Sequence, residues 1–163
     1  MIGGVTLSLD GLLAPVDVRV DRWGVPHLSA SSADDVFFAQ GYVVARDRLF
    51  QLDLWRRRGL GLMAEAFGAE YVERDAAARQ FLYRGDMAAE WAAYGPDAER
   101  FVSRFAAGIN ARIDEVLDGR ASLPVEFERF GHRPGRFEAS DIPRIRAHGI
   151  FDNAREEVAR ALT

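Results

Sequence analysis

The 163-residue chain contains no cysteine and no lysine, so that all 21 of its basic residues are arginine. Without cysteine it has no disulfide bond, no thiol nucleophile and no thiolate ligand for zinc. Without lysine it has no Schiff-base amine and no lysine general base. These two absences exclude several classes of covalent and metal chemistry from this chain.

Positive net charge and long apolar runs are also lacking. The net charge of −4 is opposite to that of a nucleic-acid-binding domain, and no apolar run approaches the roughly 20 residues of a membrane span. The first 18 residues lack the basic and apolar regions of a secretory signal. We therefore expect no nucleic-acid or membrane partner. We also expect a cytoplasmic location, or a periplasmic or secreted one if Met1 follows a removed signal.

The hydrophobic content of 48% is enough for one domain with a core of its own. Apolar and polar residues alternate over 5–9 and 16–20, which predicts two short, half-buried strands separated by Gly11 and Pro15. Because two strands do not form a stable sheet by themselves, we expect residues 1–22 to pair with strands of a partner chain.

The longest helical pattern follows a turn at 21–26 and dominates the segment 23–68. Ser31 or Ser32 caps this helix, and the Gly-punctuated sequence RRRGLG ends it before a short second helix. Its apolar residues cover a wider arc than one small core requires, which indicates burial on several sides. They are Phe37, Phe38, Val43, Val44, Ala45, Leu49, Phe50, Leu52, Leu54 and Trp55.

The rest of the helical region, 23–163, consists of shorter elements. Helices are predicted over 70–91, over 97–118 and from Ser140 onwards, with a short helical turn and a loop over 123–137. The last helix reaches Thr163 without a Gly or Pro stop signal, so we expect the functional unit to extend beyond this chain.

Candidate chemical groups are few. For His27 a structural, hydrogen-bonded role is a stronger interpretation than that of a general base, because no nucleophile-elbow sequence accompanies it. Neither His132 nor His148 has another histidine one helical turn away, so no zinc site is expected. Asp53, Arg56 and Arg57 have the spacing of a solvated or interfacial salt-bridge face. The residues thus indicate no self-contained active site.

Several ordered segments resemble the α chain of the penicillin amidase family of N-terminal nucleophile hydrolases. They are VRVDRWGVPHL, FAQGYVVARDRLFQLDLWRR, GLMAEAFG, FAAGINARID and LPVEFERFGHRPGRFEASDI, followed by the helix that leads to Asn153. The resemblance implies an α+β fold, in which a mostly helical α chain belongs to an α/β/β/α sandwich and its N-terminal strands join the partner chain's sheet.

The resemblance further implies a precursor that cleaves itself into this α chain and a larger β chain. The β chain begins with the nucleophilic Ser, whose own α-amino group acts as the base. The partner is therefore the β chain of the same precursor, and no catalytic residue lies in this chain. The substrate is a small N-acyl compound: a β-lactam side chain, an N-acyl homoserine lactone or another N-acyl amine.

By the same resemblance, the acyl-pocket positions of this chain fall on Ile150, Asn153 and Ala154. Relatives that act on penicillin G have Arg and Phe at the latter two positions, which puts a phenylacetyl preference in doubt. No organic cofactor is expected. A structural calcium ion is expected, with Glu157 as the ligand and Glu156 as its neighbouring alternative.

An alternative from another class is a non-catalytic helical interaction or scaffold domain that binds a partner through its wide apolar face. Such a domain would fold and remain monodisperse by itself. An α chain that lacks its β chain would instead expose buried faces and aggregate.

Overall fold

A computed structural model describes residues 9–162 of the chain, except for the side chains of 147–155 in the last helix. Within the described residues, two strands precede seven α-helices. They are β1 Asp17–Val20, β2 Pro26–Ser29, α1 Ala33–Leu60, α2 Met63–Phe67, α3 Val72–Phe81, α4 Met87–Tyr94, α5 Ala98–Leu117, α6 Val125–Phe130 and α7 Asp141–Ala161. The mostly helical α+β class predicted from the sequence is confirmed.

The two strands form one antiparallel hairpin in which Val18 lies opposite Leu28 and Val20 opposite Pro26. The predicted strand over 16–20 is thus present, but all four residues of β1 are exposed, so this chain by itself does not supply the predicted half-burial. Its partner β2 was missed because PHLS begins with proline and lacks a clear alternation. The other strand, predicted over 5–9, lies almost wholly outside the described residues.

The ends of α1 are set by local sequence signals. The Ser32 hydroxyl accepts a hydrogen bond from the backbone N–H of Asp35 (3.1 Å), which confirms the predicted N-terminal cap. Gly61 ends the helix in the left-handed conformation (φ 69°), which glycine adopts without a Cβ penalty. Within α1 the backbone leaves helical geometry at Arg48 (φ −141°, ψ 33°), where the helix is kinked.

Helices α1 and α5 approach each other closely because each contributes a glycine to the contact. A Cβ on Gly41 would lie 2.0 Å from the carbonyl oxygen of Phe105, and one on Gly108 would lie 1.9 Å from that of Phe38. Both distances are far below van der Waals contact, so only glycine permits this packing.

The core lies between α1, α5, α6 and the loop that precedes α7. Its buried members are Ala45, Leu49, Ala106, Ile109, Ile113, Val116, Phe127 and Phe137. Helix α1 also contacts α2, α3, α7 and β2, so its predicted burial on several sides is confirmed and arises largely from this chain itself. Trp55 is the exception on the predicted face, since it is 59% exposed.

The predicted helix over 70–91 is interrupted. Helix α3 ends at Phe81, and α4 begins after Asp86, whose carboxylate accepts a hydrogen bond from the N–H of Ala88 (2.9 Å). This N-terminal cap makes a new helix start more favourable than continuation through Gly85.

Among the described residues, no helix is both long enough and apolar enough to cross a bilayer.

Candidate functional site

The buried carboxylate of Asp53, on α1, binds the loop that leads into the last helix. Asp53 accepts a hydrogen bond from Arg57 Nε (2.7 Å) and another from the backbone N–H of Gly135 (2.8 Å). Arg57 also reaches the carbonyl oxygen of Arg133 (3.4 Å) and the carboxylate of Glu65 (3.5 Å). The loop is therefore held to α1 by an ion pair whose members are 1% and 11% exposed.

The neighbouring arginine of α1 holds the first residue of α7. Arg56 Nε donates to Asp141 Oδ2 (2.6 Å), which also accepts the backbone N–H of Glu138 (3.0 Å). The side chains of this pair are 15% and 8% exposed. The guanidinium also lies 5.5 Å from the ring centre of Phe137. Its Nη1 lies so close to Gly135 that a Cβ added there would be 3.1 Å away. Arg56 thus lies between the loop and α7 and contacts both.

The helices α4 and α7 are joined by a second charged contact. Arg146 forms an ion pair with Glu90 (2.9 Å) and donates a hydrogen bond to the Tyr94 hydroxyl. Its guanidinium also lies over the Tyr94 ring, 5.1 Å from the centre. Burial, together with the hydrogen bond to Glu90, raises the pKa of Tyr94. We call Arg146, Glu90 and Tyr94 the α4–α7 cluster.

His132 lies beside Asp53 and is surrounded by aromatic rings. Its Nε2 is 3.5 Å from Asp53 Oδ2, and its ring is 5.0–5.9 Å from the rings of Phe127, Phe67 and Phe50. Burial lowers the pKa of His132; Asp53 opposes this effect and the positive charge of Arg57 adds to it. The imidazole is therefore neutral at neutral pH.

Two further buried carboxylates bind backbone N–H groups. Asp35 accepts from Leu13 (2.8 Å), and this hydrogen bond is the largest cause of the lowered pKa of the carboxyl. Asp75 accepts from Met63 (2.9 Å) and Ala64 (2.8 Å), and so caps the N-terminus of α2. Both are structural residues that the sequence did not distinguish from surface carboxylates.

The structure brings groups together that the sequence placed apart. Asp53 was expected on a solvated or interfacial salt-bridge face, and this is wrong because its side chain is buried inside the chain. The i, i+4 spacing correctly predicted its contact with Arg57, but the contact with Gly135 spans 82 residues and no local pattern signals it. No local pattern signals that folding brings Asp53 to 3.5 Å from His132.

The predicted acyl-pocket residues Ile150, Asn153 and Ala154 belong to α7, but their side chains lie outside the described residues. Their role stays a prediction. The described start of α7 is held by Arg56 and by the α4–α7 cluster, and α7 also packs against α3. These contacts help to position the helix on which the three residues lie.

The predicted calcium ligand Glu157 is 70% exposed and pairs with Arg160 at 2.5 Å. The part of the chain that the structure describes contains no group of three or more acidic, His or Cys side chains that would hold a metal ion. Calcium takes six to eight oxygen ligands, so the carboxylates of Glu156 and Glu157 do not form a site by themselves. The calcium expectation therefore requires ligands from outside the described residues.

The histidines whose side chains the structure describes, His27 and His132, each lie near a carboxylate. His27 Nε2 lies 3.1 Å from Asp21 Oδ2 and is thus a hydrogen-bonded histidine, as predicted. This hydrogen bond is the largest cause of the lowered pKa of Asp21. Within residues 9–162, neither His27 nor His132 is hydrogen bonded to a Ser or Thr hydroxyl.

The fold and these contacts define a helical framework whose interior charges hold a loop and the last helix in place. The family model for penicillin amidase matches residues 15–163. The chain belongs to the penicillin amidase family, which confirms the resemblance found in the sequence.

Three relatives illustrate the similarity. Penicillin acylase 2 proenzyme of Pseudomonas sp. (strain SE83) is 40% identical over 82% of this chain. Penicillin G acylase of Escherichia coli is 36% identical over 77% of it, and the acyl-homoserine lactone acylase QuiP of Pseudomonas putida is 32% identical over 95%. The chain spans only 15–19% of the length of these relatives.

A solved structure supports the same relationship. The thermostable penicillin G acylase of Alcaligenes faecalis, in its tetragonal form, matches with a TM-score of 0.73 and 32% identity. The match covers 80% of this chain and 69% of that chain.

Proposed function

We propose that this chain is the α subunit of a heterodimeric amidohydrolase that cleaves N-acyl amides. The observation that carries the proposal is the match to the solved penicillin G acylase chain, in fold and at 32% identity over 80% of this chain. The short span relative to the three acylases supports a partner that supplies the remaining structure. The partner in this proposal is a larger β chain cut from the same precursor.

The hairpin supports the docking of such a partner. Val18 and Val20 on β1 are 37% and 41% exposed, and Trp23 and Val25 in the connecting turn are 75% and 50% exposed. Among the described strands β1 and β2 pair only with each other, so each has one edge with free backbone groups. A two-stranded sheet is marginally stable in water, and further strands from a β chain would complete it.

In the proposed reaction, the hydroxyl of the N-terminal Ser of the β chain attacks the amide carbonyl, and the α-amino group of the same Ser accepts its proton. Collapse of the tetrahedral intermediate releases the amine, which takes up that proton. Water then hydrolyses the acyl-enzyme ester and releases the carboxylic acid. This chain contributes the part of the acyl pocket that Ile150, Asn153 and Ala154 form.

The relatives' names suggest two groups of substrates, penicillins and N-acyl homoserine lactones. Both substrate groups carry an acyl chain on an amide nitrogen, so we propose an N-acyl amide as the common substrate class. Asn153 and Ala154 are small and uncharged, in place of the Arg and Phe expected of an enzyme that acts on penicillin G. We therefore propose that a phenylacetyl group is not the preferred acyl group.

The proposal is tested on protein produced from the complete reading frame. Intact mass and N-terminal sequencing should show this chain together with a larger chain that begins with Ser. Amine release from amides of graded acyl length should be abolished by Ser→Ala at that N-terminus. A chain that purifies alone, monodisperse and without hydrolytic activity, would contradict the proposal and favour the scaffold alternative.

A further inference from the structure

The last helix is held on two different sides near its start. Asp141 and Ile145 are four residues apart and therefore lie on nearly the same side of α7. This side faces α1, where Arg56 binds Asp141 and Gly59 packs so closely that a Cβ there would lie 2.5 Å from Ile145 Cβ. Helix α1 thus fixes the position of the first turns of α7.

The second contact lies on another side. Arg146 is one residue beyond Ile145 and is rotated from it by about 100° around the helix axis. There it contacts Glu90 and Tyr94 of α4, which is itself anchored by the buried Trp91 (8% exposed). Contacts about 100° apart restrain rotation of α7 around its axis, which one face alone would restrain less.

The helix carries this restraint to the predicted acyl pocket. Ile150 and Ala154 are four and eight residues beyond Arg146, about 6 and 12 Å along the helix. At a side-chain radius of about 6 Å, a rotation of about 10° moves a side chain by about 1 Å. Displacements of about this size change the rate of an enzymatic reaction severely when they occur in the substrate site.

We propose that the α4–α7 cluster sets the rotation of α7 and thereby selects the acyl group of the substrate. Arg146, Glu90 and Tyr94 are positioning residues, which act through the helix and do not contact the reacting atoms. This inference rests on the proposed function, in which α7 carries acyl-pocket residues.

The first experiment measures the helix position without any use of activity. Because this chain has no cysteine, Ala93→Cys on α4 and Val158→Cys on α7 are the only spin-label sites that it contributes. Both positions are exposed. In the full-length protein, Arg146→Gln should shift or broaden the electron-spin distance distribution between them. Arg160→Gln removes the same charge from the exposed end of the same helix and should leave the distribution unchanged. Superimposable distributions in all variants would overturn the inference.

The second experiment measures selectivity as the ratio of kcat/KM between a short and a long N-acyl amide. Arg146→Gln and Glu90→Gln should each change this ratio by about fivefold, a modest effect because Arg146 is 53% exposed. The double variant should change it no further, since both substitutions break one contact. Arg146→Lys keeps the charge and should restore part of the ratio.

The two experiments separate the failure of this inference from that of the proposed function. A displaced helix with unchanged selectivity overturns the inference, because the cluster would then be structural only. If the wild-type protein hydrolyses no N-acyl amide, the proposed function fails. The distance measurement then decides by itself whether the cluster positions α7.

Discussion

The close approach of α1 and α5 gives the sharpest stability prediction. A Cβ at position 41 would lie 2.0 Å from the carbonyl oxygen of Phe105, whereas ordinary contact begins at 3.4 Å. In Gly41→Ala the axes of α1 and α5 must therefore separate locally by about 1.4 Å. This separation loosens the packing of Ala45 and Ile109, which are both fully buried.

The expected magnitude follows from two opposing effects. Replacing glycine by alanine in a helix interior ordinarily stabilises it by about 1 kcal/mol. Overpacking costs about 1–3 kcal/mol, and the upper end applies here because the obstacle is backbone and cannot change rotamer. We therefore expect Gly41→Ala to lower the free energy of unfolding by about 2 kcal/mol.

Urea denaturation of the full-length protein, monitored by tryptophan fluorescence, measures this change. Gln40→Ala, at an exposed position one residue earlier in α1, serves as the control and should change stability by less than about 0.5 kcal/mol. Gly108→Ala should match Gly41→Ala, and the double variant should show less than the sum because both affect one interface. A gain in stability from Gly41→Ala would refute the close approach of the two helices.

Three further predictions concern charged residues. Asp53→Ala removes the buried carboxylate partner of Arg57 and leaves it with Glu65, which is 63% exposed, so it should cost about 3–5 kcal/mol in urea denaturation. Asp47→Ala, in an exposed ion pair, should cost less than about 1 kcal/mol. Burial lowers the pKa of His132, so the unfolded chain takes up a proton at this residue at a higher pH than the folded chain does. The free energy of unfolding should therefore decrease as the pH drops below about 6.5. His132→Phe should reduce this decrease, as measured by thermal unfolding. If Glu157 binds calcium together with ligands from outside the described residues, Glu157→Gln should weaken the rise in melting temperature that added calcium produces.

Each of these predictions has a contradicting result. Equal losses from Asp53→Ala and Asp47→Ala would show that the Asp53 pair is not buried in solution. An unchanged pH dependence in His132→Phe would assign the acid sensitivity to other groups. A calcium response that is identical in Glu157→Gln and the wild type would remove Glu157 as a ligand.

The sequence predicted most helix boundaries because these depend on neighbouring residues. Ser32 caps α1 through an amide three residues away, and Gly61 ends it through its own conformation. The split between α3 and α4 was missed although Asp86 is a good N-terminal cap, because the Ala- and Arg-rich composition favours helix on both sides of it.

The candidate site could not be predicted in the same way. The pairs Asp53–Gly135 and Arg56–Asp141 join residues 82 and 85 positions apart, and no periodicity relates them. Burial was missed for a related reason. A carboxylate with arginines three and four residues later has the same local pattern in solvent and in the interior, and only the loop that folds over Asp53 distinguishes the two.

At the end of α1, arginine has a physical advantage over lysine. Consecutive residues of a helix point in directions about 100° apart, so Arg56 and Arg57, although adjacent in sequence, bind different carboxylates, those of Asp141 and Asp53. The single side chain of Arg57 binds Asp53, Glu65 and the carbonyl oxygen of Arg133 at the same time. This requires donors spread across a planar guanidinium. A lysine would present its donors from one point and could not span these three acceptors. The framework that holds the loop and α7 thus depends on the shape of the arginine side chain as much as on its charge.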